Sequence, residues 1–381
     1  MPKNIIAEAL LEIADGIESG SFAKKPKIGL TILGSEHGVE NMLEAVRLAK
    51  SPAYDIVLIG PKQENCDLET HEVSSEEEAH KKMEELLDKK VIDGCVTLHY
   101  TFPIGVSTIG RVVAPSTGRE MLIATTTGTS SLNRVEGMLR NAIAGISVAK
   151  SLGIEKPTVG VLNVDGAKQV ERALETLIEN GYDLELAESV RADGGAVLRG
   201  NDILRGVPDV CVTDSLTGNI LMKVFSAFST GGSYEATGFG YGPGVGKDFN
   251  RNICIVSRAS GAPVVAHAIK YAADLVMGNF MKVKADEYKA VEKASYDKVI
   301  ETLQPKKEAA EETETVEAPP KEVVTASISG IEILDLEDAV QALWKEGIYA
   351  ESGMGCTGPI VMITDANHDK ATEILKNKGF I

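Results

Sequence analysis

No run of about 18 consecutive apolar residues occurs anywhere in the chain, so no segment has the length and apolarity of a membrane-spanning helix. Aromatic residues make up only 5% of the sequence, too few for the stacking platforms that hold single-stranded bases. Positive charge is sparse: 39 Lys and Arg stand against 56 Asp and Glu, a formal net charge of −17. A surface of that sign repels a phosphodiester backbone, which excludes nucleic acid as a partner. Cysteine is scarce as well. Cys66, Cys95, Cys211, Cys254 and Cys356 are scattered, odd in number and without a C-x-x-C pair, a pattern that supports neither a disulfide framework nor a structural zinc site. No His/Cys/Asp cluster has metal-ligand spacing, so no metal is expected. The N-terminal MPKNIIAEALLEIADGI interleaves Ile5, Ile6, Leu10, Leu11 and Ile13 with acids. It reads as an amphipathic helix over 1–26, and its acids are foreign to a secretion signal. The expectation is a cytoplasmic protein with reduced thiols.

What is present is an alternation. KIGLTILG (27–34), YDIVLIG (54–60), DGCVTLHY (93–100), MLIATTTG (121–128), TVGVLNV (158–164) and DVCVTD (209–214) are near-continuous apolar strands. Helical periodicity follows several of them, as at Val39, Met42, Leu43 and Val46, and at Val170, Ala173, Leu174 and Leu177. Strands apolar on both faces, alternating with amphipathic helices, predict a mostly parallel sheet covered on both sides, a three-layer α/β/α core over 27–304. Such sheets hold ligands at the carboxyl ends of their strands, here the loops after Gly34, Thr127, Val164 and Asp214. Composition then changes. Residues 305–326 are rich in Glu and Pro and almost free of large apolar side chains, a solvated linker with an r.m.s. reach of about 25 Å. Beyond it, 327–381 reads as a small α+β module. Leu336, Ala339, Val340, Leu343 and Trp344 mark an amphipathic helix, then a short strand 348–351, a loop SGMGCTGP (352–359), a strand 360–364 and a last helix capped by Asn367 and Gly379.

Several stretches carry chemistry. In 200–225 a buried strand leads through Asp214 to Thr217, Gly218 and Asn219 at a helix start, with Lys223 one turn on. A hydroxyl, an amide and free helix N–H groups there would make an anion site. Thr126 and Thr127 belong to the hydroxyl-rich ATTTGTSS at a strand end, suited to a phosphate or a thioester carbonyl. Ser257 and Arg258 end another strand, and Arg258 is a candidate for bidentate phosphate contact. Glu36 and His37 follow the first strand at an edge suited to acid–base work. His99 on a strand, His267 on a helix and His71 in a polar stretch read as structural or surface groups rather than catalytic ones, and Cys95, Cys211 and Cys254 as core thiols. GFGYGPGVGKD (238–248) matches neither a dinucleotide fingerprint nor a P-loop; it reads as a mobile surface loop, or else as a lid or an acyl-group channel. In the tail, Cys356 stands in a glycine-rich loop with Gly353, Gly355, Thr357 and Gly358, where backbone N–H groups could stabilise a thiolate.

Residues 200–225 resemble the G-x-D-I-x-x-G-x-x-D-V-x-V-x-D-G-x-x-G-N-x-x-L-K stretch of PlsX-type phosphate acyltransferases, departing at Ser215 and Leu216. KPTVGVLNVDGAK (156–168) and IATT (123–126) resemble two further segments of that family, and Ser257–Arg258 is similar to the S-R pair of phosphate acetyltransferases. The resemblance spans roughly 27–280. It implies the isopropylmalate-dehydrogenase-like three-layer fold and acyl exchange between a thioester and inorganic phosphate. With its linker and Cys356 module, the whole chain resembles the alpha subunits of component C of glycine/sarcosine/betaine reductase systems of amino-acid-fermenting anaerobes. That resemblance implies a hetero-oligomer with a component C beta subunit, and a selenoprotein A that is carboxymethylated on its selenocysteine. It also implies release of acetyl phosphate, with phosphate as co-substrate and no bound cofactor. The expected mechanism places the two-carbon unit on Cys356 as an acetyl thioester. Phosphate, held by the helix start at 217–223 with Arg258, then attacks it. Three alternatives stand beside it: a stand-alone phosphate acyltransferase of phospholipid synthesis, a coenzyme A-dependent phosphate acetyltransferase, and a non-enzymatic scaffold tethered through Cys356.

Overall fold

A computed structural model describes residues 25–64, 66–191, 194–303, 318–329, 331, 335–355 and 358–381. Most of the expected N-terminal helix and of the expected linker, together with Cys356 and Thr357, lie outside these residues. The chain divides into two compact units at Pro305/Lys306.

Among the described residues the first unit holds twelve strands: β1 (Lys27–Thr31), β2 (Asp55–Ile59), β3 (Thr70–His71), β4 (Gly94–Leu98), β5 (Val106–Val113), β6 (Glu120–Thr129), β7 (Thr158–Leu162), β8 (Glu185–Leu186), β9 (Val197–Leu198), β10 (Val210–Val212), β11 (Gly242–Val245) and β12 (Ile253–Val256). Its helices are α1 (Gly38–Ala49), α2 (Glu76–Asp88), α3 (Arg134–Ser151), α4 (Ala167–Glu179), α5 (Gly200–Arg205), α6 (Ser215–Ala227), α7 (Ala262–Met277), α8 (Phe280–Lys293) and α9 (Tyr296–Leu303). The strands form one sheet in the order β3-β2-β1-β4-β12-β11-β5-β6-β10-β7-β8, with β9 also on β7. β1, β2, β3, β4 and β12 run parallel, as do β6, β7, β8, β9 and β10. Between these halves sit β11 and β5, and the pairs β12–β11, β11–β5 and β5–β6 are all antiparallel. Three reversals in a row mean that the two parallel halves run in opposite senses.

Each face of the sheet has its own core. One is filled from α1, α3, α4, α7, α8 and α9, through residues such as Met42, Ile143, Leu174, Val265 and Phe280. The other is filled from α2, α5 and α6, through Met83, Ile203 and Met222. This is the three-layer α/β/α arrangement that the doubly apolar strands require.

The glycine-rich run at 238–248 corrects its reading as a surface loop or lid: Gly242–Val245 is the buried strand β11 at the centre of the sheet. Its glycines serve close packing. A Cβ on Gly242 would lie 1.7 Å from the Ile109 carbonyl oxygen, and one on Gly244 would lie 2.2 Å from the Phe102 ring. Only glycine lets β11 fit between β5, β12 and the aromatic cluster above it.

The second unit contains β13 (Ala326–Ser329), α10 (Leu336–Lys345), β14 (Glu351–Gly355), β15 (Gly358–Ile363) and α11 (His368–Asn377). Its strands form an antiparallel sheet ordered β13-β15-β14. Ala339, Val340 and Leu343 of α10 pack with Ile328, Val361, Ile363 and Leu375 into a separate core, as the periodicity predicts. The expected strand at 348–351 begins instead at Glu351; Ile348, Tyr349 and Ala350 precede it and are buried. Of the expected loop at 352–359, residues 352–355 belong to β14 and 358–359 to β15, with Gly355 opposite Gly358. Among the described residues, no helix is long and apolar enough to cross a membrane.

Candidate active site

Where β11 and β5 separate the two halves of the sheet, a cleft of about 600 Å³ opens. Three distant stretches meet in it: Thr127, Gly128 and Thr129 at the end of β6, Asn219 and Lys223 on α6, and Ser257 and Arg258 after β12. Glu36, from the loop after β1, and the segment His99–Ile104 complete the wall. Of the sequence candidates, Thr127, Asn219, Lys223, Ser257 and Arg258 thus share one space. Of the four strand-end loops, those after Gly34 and Thr127 reach it; Asp214 lines a neighbouring recess, and the loop after Val164 borders neither.

Thr126 sits one residue away and points elsewhere. It is buried, its hydroxyl donates to the Tyr241 carbonyl at 2.8 Å, and it lies 2.7 Å from the Thr108 hydroxyl. Its carbonyl accepts from Asn219 Nδ2 at 3.1 Å, which anchors α6 to β6. Gly218 makes that approach possible: a Cβ there would lie 1.7 Å from the Thr125 carbonyl oxygen.

The helix start at Thr217 holds an anion of the chain's own. The Asp214 carboxylate accepts from the Leu216 N–H at 3.1 Å, the Thr217 N–H at 3.0 Å and the Thr217 hydroxyl at 2.7 Å. Arg134 Nη2 reaches it at 3.1 Å. Burial pushes the Asp214 carboxyl up, but these hydrogen bonds and Arg134 outweigh burial and hold it below its ordinary range. A phosphate at that turn would have to displace Asp214, so Thr217 works as part of a cap. The cationic capacity of α6 lies at Lys223, further along.

No ion pair occupies Lys223 among the described residues. Its Nζ stands 5.7 Å from the centre of the Tyr241 ring, on the cleft side. Beneath it runs a buried chain: Tyr241 Oη donates to Glu235 Oε1 at 2.8 Å, Ser260 Oγ donates to Glu235 Oε2 at 2.6 Å, and Ser260 Oγ accepts the Ser257 N–H at 3.1 Å. Burial, and then the adjacent carboxylate, hold the Tyr241 phenol well above its ordinary value, so it remains a donor. This chain fixes the Ser257–Arg258 turn. Arg258 Nη2 meets Glu76 Oε2 at 2.6 Å, and its carbonyl accepts the Glu36 N–H at 2.9 Å. Both the guanidinium and Glu76 are partly exposed, so an incoming anion can compete for Arg258.

The aromatic wall has its own order. Tyr100, Phe102 and Phe249 stack edge to face at 5.0 and 5.5 Å. Burial and the hydrogen bond to Glu84 push the Tyr100 phenol up to about 12. His99, expected on the strand as a structural or surface residue, lies just past the end of β4 with φ +50° and lines the cleft. The signal was present: HYTF directly after an apolar strand places polar-tipped aromatics at a strand end. His267 lies on α7, its Nδ1 3.1 Å from the Gly238 carbonyl, and His71 lies in β3. Burial raises the thiols of Cys95, Cys211 (to about 12) and Cys254, which keeps them protonated. In the second unit, Gly353 and Gly355 belong to β14 and Gly358 to β15, with Gly355 opposite Gly358; the candidates Cys356 and Thr357 lie outside the described residues. Among the described residues, no group of three or more His, Cys, Asp and Glu could hold a metal ion.

Comparison with known proteins places this architecture. The model of the "Fatty acid synthesis protein" family matches residues 26–362. The glycine/sarcosine/betaine reductase complex component C subunit alpha of Peptoclostridium acidaminophilum is 60% identical over 381 residues, all of this chain and 99% of that protein. A phosphate acyltransferase of Thermotoga neapolitana is 26% identical over 231 residues, 52% of this chain and 68% of that protein. Among solved structures, a branched-chain phosphotransacylase from Enterococcus faecalis covers 66% of this chain and 99% of its own at 14% identity, with a TM-score of 0.47. A family match across 26–362 and full-length identity of 60% mean that this chain belongs to the component C alpha subunits of the glycine/sarcosine/betaine reductase complex, within the phosphate acyltransferase-like fatty acid synthesis protein family.

Proposed function

We propose that the cleft binds inorganic phosphate and passes to it an acetyl group carried as a thioester on Cys356, releasing acetyl phosphate. The observation that carries this reading is the convergence of Lys223, Arg258, Ser257, Asn219 and the Thr127–Thr129 strand end on one cleft. Phosphate attack on an acyl carbon gathers negative charge. Two cations, with hydroxyl and amide donors, are what that charge requires. A phosphate oxygen forms the new C–O bond, the C–S bond breaks, and sulfur leaves as thiolate. Cysteine suits both halves of the task, being a strong nucleophile and a good leaving group. The chemistry uses side chains and phosphate alone, with no bound cofactor.

The name of the Peptoclostridium relative supports a place in a hetero-oligomeric reductase component. In that setting a component C beta subunit is the partner, and the two-carbon unit comes, in the cytoplasm, from a carboxymethylated selenoprotein A, whose C–Se bond breaks and which supplies the two electrons and is left oxidised. The test is exchange of radiolabelled phosphate into acetyl phosphate by the assembled component. Exchange is expected for the native protein, and a fall on the order of 10²-fold in Lys223→Gln and in Arg258→Gln. Undiminished exchange in both variants would overturn the assignment of the cleft. Equal exchange with acetyl coenzyme A as sole donor in Cys356→Ser would favour the coenzyme A-dependent alternative.

A further inference from the structure

Beside the cleft lies a second, smaller recess of about 240 Å³. The same three stretches of chain line both spaces, in order. Residues 99–104 reach the cleft and 103–107 the recess; Thr127–Thr129 border the cleft and Ser130 the recess; Tyr241 borders the cleft and 245–249 the recess. The two volumes therefore lie end to end, and what divides them is thin. Pro103 and Ile104 border both, on an exposed, irregular segment between β4 and β5. Next to them Phe102, which lines the cleft, meets Phe249, which lines the recess, edge to face with ring centres 5.5 Å apart.

We propose that the Phe102–Phe249 pair is a stop that limits the acyl group to two carbons, and that the recess behind it is the space a longer acyl chain would need. The proposal rests on the reading of the cleft as the place where an acyl group meets phosphate. The chain at β11 gives the scale. Lys223 stands over the Tyr241 ring, and the Phe102 ring over Gly244. Three residues of backbone span at most about 10 Å. A phosphate against the ammonium, a two-carbon acyl group and one van der Waals contact with the ring take up that length. Two further methylenes collide with Phe102.

The ring is held where it stands. Tyr100 packs against it on one side at 5.0 Å and Phe249 on another. Gly244 provides the seat, since a Cβ there would lie 2.2 Å from the ring. The recess itself suits methylenes. Ile104, Val106, Val245 and Phe249 supply apolar surface. Of its charged groups, Arg140 is paired with Glu136 at 2.7 Å, Lys247 is paired with Glu292 at 2.5 Å, and Asp248 is exposed to water. The Ser107 hydroxyl donates to Asn141 Oδ1 at 2.9 Å, and Ser130 donates to the same oxygen.

Exchange of labelled phosphate into acetyl phosphate and into butyryl phosphate, by the assembled component, tests the proposal. The readout is the ratio of kcat/KM for butyryl over acetyl. A pocket discriminates one methylene by about 10–200-fold, so two should hold the native ratio below about 0.01. Phe102→Ala joins the two volumes and should raise the ratio at least about 10-fold. Phe249→Ala opens the partition from the recess side and should raise it as well; it carries the test alone should Phe102→Ala not fold. General loosening of the cleft would lower both rates without favouring the longer chain. A native protein that exchanges both donors at comparable rates overturns the proposal. So does a ratio that neither variant moves while Lys223→Gln still suppresses acetyl phosphate exchange. Exchange that Lys223→Gln leaves undiminished refutes the reading of the cleft instead, and the proposal falls with it.

Discussion

Replacing Gly218 by Ala adds one methyl group where α6 crosses β6. In an exposed helix this change stabilises by about 1 kcal/mol, because alanine loses less backbone freedom on folding. Here the added Cβ would lie 1.7 Å from the Thr125 carbonyl oxygen and 3.1 Å from Thr213 Cγ2. A carbon–oxygen contact ordinarily needs about 3.3 Å, so α6 must retreat by about 1.5 Å, and both obstructing elements are backbone-anchored. Overpacking of this kind costs typically ~1–3 kcal/mol, and a rigid neighbour places this site at the upper end. After subtracting the propensity gain, a loss of about 2 kcal/mol is expected. The retreat also moves Asn219 and Lys223, and a 1 Å misplacement can lower turnover on the order of 10²-fold. Urea unfolding followed by far-ultraviolet circular dichroism reads the first effect, and phosphate exchange reads the second. The single tryptophan, Trp344, lies in the second unit, so its fluorescence transition should stay in place as an internal control. Gly200, where an added methyl would meet nothing within 4 Å, is the contrast: Gly200→Ala should leave stability unchanged or raise it. A Gly218→Ala protein as stable as the native one would refute the close-approach reasoning.

Other outcomes follow from the same geometry. Glu76→Gln removes the carboxylate that pairs with Arg258 at 2.6 Å; a freed guanidinium should lower the KM for phosphate several-fold in the exchange assay. Asp214→Ala removes the cap of α6 and should cost about 1 kcal/mol, read by urea unfolding. Because the Asp214 carboxyl is held below its ordinary range, its contribution is present above the unfolded carboxyl value and is lost as pH falls through the folded one; Asp214→Asn keeps a cap but removes that acid-dependent part. Lys284 is buried, with Nζ donating to the Gly246 carbonyl at 3.0 Å, and burial pushes its ammonium from 10.5 down to about 8. Between those values the unfolded chain keeps a proton that the folded chain has lost. Stability should therefore rise with pH across that window, and Lys284→Met should flatten the rise in a pH series of unfolding curves.

Much of the sheet was legible because β1, β2, β4, β7 and β10 are buried on both faces, which writes an unbroken apolar run into the sequence. β5 and β11 escaped for opposite reasons. VSTIGRVV mixes hydroxyls and glycine into its apolar pattern, and GPGV carries residues that strands ordinarily avoid. β11 exists because its neighbours demand a thin backbone, and that is a tertiary fact. The same division runs through the site. Thr127 is legible because it ends a readable strand, Arg258 because it follows one, and Asn219 and Lys223 because they lie on the helix after one. The burial of Thr126 depends on β5 and Tyr241, elements no local pattern announced. Asp214 was read as a strand end, although Asp three residues before Thr217 also fits an N-cap. Glu235 lies in a segment with no periodicity, and its tie to Tyr241 and Ser260 appears only in three dimensions.

The most direct test of acyl transfer follows the acetyl group itself. The assembled component is incubated with isotopically labelled acetyl phosphate, digested and examined by peptide mass spectrometry. One hydroxylamine-sensitive acetyl group is expected on the peptide carrying Cys356, absent in Cys356→Ser and strongly reduced in Lys223→Gln. An unlabelled Cys356 peptide from a component that still exchanges phosphate would contradict the thioester and move the transfer entirely into the cleft or onto another subunit.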